Sequence, residues 1–297
     1  MYRSDRALIL SGGGARGAYE IGVWKRLCEM SWRPDLICGT SVGAINGAAI
    51  TAGLPLEDLV KLWESIERNT IYRVSIYRRI VNSILRRGFT SYMDTTPLRS
   101  FLESTLDVEK IRTSDVELVI SAVNVLSSEI EYFNNNSINI DHIMASSALP
   151  ILFPWQYIGD KPYWDGGVMA NTPIAPALER HVREIIVVLL SPMGGAEHPL
   201  PKNQKEAVER MFEHTQIGSF EAFRFNISQE HGGATDKDSP LRGASTPTKM
   251  RMVTVAPTSM LGFRSVMDFS PKRSDELIRT GYEDAKVQLA DFFKPIC

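Results

Sequence analysis

Basic residues are not in excess. Lysine and arginine number 33 against 35 aspartates and glutamates, a formal net charge of −2. Nucleic-acid binders usually carry a clear cationic surplus, so the composition speaks against that class of partner. Cysteine is scarce as well. Cys28, Cys38 and Cys297 are odd in number and lack the paired spacing of a metal site. They read as reduced core residues, and neither a disulfide framework nor a metal centre is expected. No stretch approaches the ~20 apolar residues of a membrane span, and Met1 to Arg6 carry no apolar leader segment. The expectation is a cytoplasmic protein, peripheral to a membrane at most. What remains is an ordinary globular composition, 43% hydrophobic and 23% charged over 297 residues. That is enough chain for one large α/β domain, and no linker or repeat divides it.

The chain is organised around Gly39-Thr40-Ser41-Val42-Gly43. The apolar run Leu36-Ile37-Cys38 leads in and the small-residue run Ala44 to Ile50 leads out, which reads as strand, sharp turn, helix. A serine with glycine two residues to either side is the nucleophile-elbow pattern: Gly39 and Gly43 keep the turn tight and hold the hydroxyl at its tip. The helix that follows offers free N–H groups and a positive dipole end to developing negative charge.

Upstream, Ala7-Leu8-Ile9-Leu10 is a short buried strand that runs into Gly12-Gly13-Gly14-Ala15-Arg16-Gly17. A helical pattern from Ala18 to Met30 follows. The first fifty residues therefore read β-loop-α-β-turn-α, the signature of a parallel, doubly wound sheet. The glycine loop has two chemical readings. Gly12, Gly14 and Gly17 satisfy G-x-G-x-x-G, with Asp35 near the distance of a ribose-binding acid. Alternatively, consecutive glycines expose backbone N–H groups beside Ser41 as an oxyanion hole. The second reading is preferred because it also accounts for Ser41.

Further on, a basic amphipathic stretch within 71–100 is a candidate lid or membrane-facing segment. Strands are expected at Val116 to Leu126, Glu129 to Phe133, Glu184 to Leu190 and Lys249 to Ala256. The segment 232–248 is rich in Gly, Ser, Thr and Pro and is expected to be a mobile loop. The apolar stretch Pro257 to Phe269 is a candidate wall for an acyl pocket. A loop punctuated by Pro154, Gly159-Asp160 and Pro162 delivers Asp165-Gly166-Gly167. Asp165 is placed to accept a hydrogen bond from a serine hydroxyl, and Gly166 and Gly167 allow another segment to approach it. His181, His198, His214 and His231 follow Asp165, the order of a Ser-Asp-His triad, but none sits in a clear strand-end loop. A dyad is the expectation.

Gly12 to Gly17, Gly39 to Gly43 and Asp165-Gly166-Gly167 occur in that order, each at a predicted strand end. Together they resemble the patatin-like phospholipases. The resemblance implies a single domain over 6–293, an α/β fold with a mostly parallel central sheet flanked by helices on both faces, and lipid acyl hydrolysis. It implies Ser41 as nucleophile with Asp165 as its partner, and Gly12, Gly13, Gly14 and Arg16 at the oxyanion hole. Neither cofactor nor metal is expected. The implied substrate is a phospholipid or other fatty-acyl ester. An acyltransferase or thioesterase with the same dyad, and a nucleotide-binding protein using the glycine loop, are the alternatives.

Overall fold

The computed structural model describes residues 5–74, 91, 93–193, 200–232, 250–259, 261 and 263–294. Most of the basic stretch expected as a lid, 75–90, and the segment 233–248 lie outside the described residues.

Strands β1 (Arg6–Leu10) and β2 (Leu36–Gly39) are short runs that are buried almost throughout. Uninterrupted apolar runs suit parallel strands covered on both faces. The two-residue strands β3 (Arg73–Val74) and β4 (Met93–Asp94) pair with each other. The remaining strands are β5 (Glu117–Asn124), β6 (Glu129–Asn134), β7 (Gln156–Ile158), β8 (Lys161–Asp165), β9 (Glu184–Val188) and β10 (Arg251–Val255). One eight-stranded sheet has the order β10-β9-β1-β2-β5-β8-β7, with β6 also on β5. Its pairings from β10 to β5 are parallel, whereas β6, β7 and β8 are joined by antiparallel pairings.

Alternation along β1 sends neighbouring side chains to opposite faces. Leu8 and Leu10 pack with residues of helix α1 (Ala18–Glu29) and helix α2 (Val42–Thr51). Ala7 and Ile9 join a second core with Ala177 and Phe220, from the helices Ala175–Glu179 and Gln204–Gly232. Helices therefore cover both faces of a mostly parallel sheet. Among the described residues no helix is long and apolar enough to cross a membrane.

Two readings from the sequence change here. The segment that delivers Asp165 is a strand pair where the sequence reads a loop. β7 and β8 form a hairpin whose two connecting residues are Gly159 and Asp160, and Gly159 supplies a φ of 58°. A two-residue hairpin loop needs such a positive φ. The Pro162 carbonyl accepts a hydrogen bond from the Val125 N–H at 2.9 Å, so the proline keeps a place in the sheet through its acceptor alone. Asp35 is the second correction. Its carboxylate accepts the N–H groups of Asp5 at 2.9 Å and Arg6 at 3.0 Å, at the entry to β1. The glycine loop leaves the opposite end of that strand. Asp35 is a structural clamp there, and the nucleotide reading of the loop loses its acid.

Candidate active site

Strand pairing explains why Ser41 and Asp165 come together. β6 pairs with β5 from Val119 to Asn124 and so occupies one edge of it. β2 pairs with residues Glu117 to Ile120 of β5, and β8 pairs with Ala122 to Asn124. Both overlap residues already taken by β6, so β2 and β8 share the other edge. They run toward each other along it. β2 ends with Gly39 opposite Ile120, and β8 ends with Asp165 opposite Ala122. The turn after Gly39 and the last residue of β8 meet at the join.

Ser41 stands at that join with φ 57° and ψ −124°. A non-glycine residue avoids positive φ, so the turn is strained. Packing enforces it. A side chain on Gly43 would strike the Leu10 carbonyl, and one on Gly39 would strike the Gly43 carbonyl. The Ser41 N–H donates to Ser146 Oγ at 3.0 Å, and Thr40 Oγ1 lies 2.6 Å from Ser121 Oγ on β5. The elbow is thereby tied to the helix Ile140–Ser146 and to the neighbouring strand. Ser41 itself is partly exposed.

Asp165 is only 3% exposed. Burial disfavours its charge and raises its pKa from 3.8 to about 6. The Ser41 side chain and the Gly167 N–H, which donates to Asp165 Oδ1 at 2.7 Å, hold the ionised form partly in place. An aspartate with an ordinary pKa is a weak proton acceptor. One near 6 is far better matched to neutral pH and still mostly ionised there.

The glycine loop divides its labour. The Gly12 N–H donates to the Asn171 carbonyl at 3.1 Å, and the Gly12 carbonyl accepts from Asn171 Nδ2 at 3.2 Å. Gly12 is thus an anchor, not an oxyanion donor. Among the described residues, the N–H groups of Gly13, Gly14 and Val42 have no acceptor. Gly14 adopts φ 60°, open to glycine at little cost, and its Cα faces the Val266 carbonyl too closely for a side chain. Asn171 is a residue the sequence reading missed. It stands six positions beyond Asp165, in a stretch that reads only as a helix start, and its partner is 159 residues away.

Arg16 also departs from expectation. Its guanidinium is 1% exposed and forms a bidentate pair with Glu213, itself 2% exposed. Further bonds run to Ser265 Oγ at 2.7 Å and to the Leu190 carbonyl at 3.1 Å. These bonds make Arg16 a strut that joins the glycine loop to the segments walling the cavity. Arg16→Ala is expected to cost about 3–5 kcal/mol in urea unfolding, because Glu213 is left as an uncompensated buried charge. Arg16→Met combined with Glu213→Leu is expected to recover most of that loss.

A cavity of about 360 Å³ opens on this assembly. Gly13, Gly14, Ser41, Asp165, Gly167 and Asn171 line its polar end. Leu149, Pro150, Phe153, Val168, Val266, Met267 and Phe269 form its apolar walls. Val266, Met267 and Phe269 come from the apolar stretch singled out in the sequence. Among the described residues no histidine lines the cavity: His181 and His214 are exposed, and His142 is bonded to Asn139 and stacked edge-on to Phe133, whereas His198 and the side chain of His231 lie outside the description. Among the described residues no group of His, Cys, Asp and Glu is arranged to hold a metal ion.

The sequence is similar to those of known proteins. The chain is 29% identical over 181 residues to a cGAMP-activated phospholipase of Pseudomonas aeruginosa, covering 56% of this chain and 53% of that protein. It is 26% identical over 203 residues to human calcium-independent phospholipase A2-gamma, covering 59% and 26%. The match therefore spans about half of the first relative and a quarter of the second. The crystal structure of VipD from Legionella pneumophila superposes with a TM-score of 0.48 at 14% identity, over 97% of this chain and 67% of that one. The family model for patatin-like phospholipase matches residues 8–178, more than half of the sequence. The chain belongs to the patatin-like phospholipase family.

Proposed function

We propose that this chain is a lipid acyl hydrolase that cleaves carboxylic esters of phospholipids through a Ser41–Asp165 dyad, housed in one domain over 6–293. One observation carries the reading: a strained, partly exposed serine, a buried aspartate of raised pKa and two unpaired backbone N–H groups all face one largely apolar cavity. A structural turn has no use for that combination.

The reaction follows from these positions. Ser41 Oγ attacks the ester carbonyl carbon while Asp165 accepts the hydroxyl proton. The carbonyl oxygen gains the displaced electron pair and is held by the Gly13 and Gly14 N–H groups, with the N-terminus of α2 adding its dipole. Collapse of this intermediate breaks the bond to the leaving alcohol, which takes the proton back from Asp165. Water then attacks the acyl-serine, again giving its proton to Asp165, and the fatty acid departs as Ser41 is reprotonated. The apolar walls receive the acyl chain.

Treatment with a fluorophosphonate is expected to add one phosphonyl group at Ser41, read by peptide mass spectrometry. Asp165→Asn is expected to slow the labelling strongly. Labelling at another serine, or none, would remove the dyad reading.

A further inference from the structure

We propose that the mouth of the cavity is a lipid-docking surface. Ile151, Val168, Met169, Val208 and Met211, which line the cavity or flank its lining segments, settle into the membrane that carries the substrate. The proposal deepens the hydrolase reading and rests on it for the identity of the occupant.

Their exposures are 59%, 49%, 48%, 56% and 60%, high for large apolar side chains. Scattered exposed apolar residues are ordinary, but a group of them around one opening marks an interaction site. The grouping follows from the cavity lining. Val168 lines the cavity, Met169 follows it, and Ile151 follows the lining residue Pro150. On the helix Gln204–Gly232, Val208, Met211 and Thr215 are spaced three and four residues apart and share a face. Thr215 lines the cavity, so the Val208–Met211 stripe leads to its edge.

Ile151 adds an independent sign. Its φ is 72°, a conformation that β-branched residues avoid, yet its side chain is mostly in solvent. Internal packing does not explain an isoleucine there, whereas an apolar partner outside the molecule does. The other loop is held firmly. The Gly166 carbonyl accepts the N–H groups of Met169 at 3.1 Å and Ala170 at 2.9 Å, so Val168 and Met169 are presented from a fixed turn. The occupant is lipid because the rim continues into the apolar wall of Leu149, Pro150 and Phe153. An acyl chain leaving a bilayer along that path stays out of water until its ester reaches Ser41.

The test uses the Ser41→Ala protein, which leaves vesicles intact, and vesicles of phosphatidylcholine with phosphatidylglycerol. It is expected to co-sediment with them, and Met169→Glu and Met211→Glu are each expected to weaken the partition by about tenfold. Placed in the protein that retains Ser41, both are expected to lower turnover of vesicle lipid in step. Turnover of a soluble short-chain ester should stay within about twofold, since a soluble ester needs no surface docking. Ile151→Asn is expected to weaken the partition while raising the unfolding temperature, because asparagine tolerates positive φ better than isoleucine. Unaltered partition in both glutamate variants would overturn the proposal. So would a parent that stays in the supernatant, or equal losses on the soluble ester. A dimer that both variants dissociate without affecting partition would make the rim a self-association face and also overturn it. Partition by Ser41→Ala beside a parent that hydrolyses neither substrate would sink the dyad and leave the surface standing.

Discussion

Ser41→Ala is expected to lower kcat/KM for ester hydrolysis by at least about 10⁴-fold, since loss of a serine nucleophile leaves only binding and oxyanion stabilisation behind. Residual turnover should not respond to fluorophosphonate. The same position makes a second, opposite prediction for stability. Ser41 is held at φ 57° and ψ −124° by contacts that leave no room at Gly39 or Gly43. Ser41→Gly keeps the turn but removes the steric penalty. After allowing for the extra freedom of glycine in the unfolded chain, it is expected to be more stable than the parent by about 1 kcal/mol in urea unfolding. Ser41→Ala keeps the Cβ and should show no such gain. An inactive Ser41→Gly that is less stable than the parent would mean that the elbow is not strained.

Asp165→Asn is expected to cost about 10³–10⁴-fold in kcat/KM and to alter the pH profile, as for loss of a general base. With the carboxyl pKa near 6, parent activity should rise with pH through about 6 and level off above it. The asparagine variant should lack that limb. A limb retained unchanged in Asp165→Asn would assign it to another group. Stability moves the other way. The folded-state pKa lies above the ordinary value of 3.8, so the protonated form favours folding. That contribution is fully present below pH 3.8 and is lost as pH rises through about 6. Above pH 7 the buried carboxylate costs on the order of 3 kcal/mol. Asparagine is neutral throughout and can still accept the Gly167 N–H. Asp165→Asn should therefore unfold at higher urea than the parent at pH 8 and match it near pH 4. Equal stability at pH 8 would show that burial does not raise the pKa.

The parts legible in the sequence are those set by local backbone chemistry. Consecutive glycines after a four-residue apolar run, and Gly39 and Gly43 around Ser41, need no distant partner to be read. The strand of Glu184–Val188 was legible for the same reason. Asp165 was found by its Gly-Gly signature, but its strand was not, because two prolines and a Gly-Asp turn mask a three-residue strand paired to a five-residue one. The family resemblance placed Arg16 and Gly12 at the oxyanion hole. Their partners, Glu213 and Asn171, lie 197 and 159 residues away, and nothing local announces them.

The sequence by itself determined an α/β chain with a sharp serine turn, a glycine loop upstream of it and an aspartate marked by a Gly-Gly turn, because turn sterics and apolar periodicity act over a few residues. The tertiary structure decided which of those groups are available for chemistry. Antiparallel β8 abuts parallel β2 on one edge of β5, which sets Asp165 against Ser41 and removes it from water. Desolvation and long-range hydrogen bonding depend on what surrounds a group in space. They left the Gly13 and Gly14 N–H groups without an acceptor among the described residues, engaged Gly12 and Arg16, and raised the pKa of the Asp165 carboxyl toward neutral.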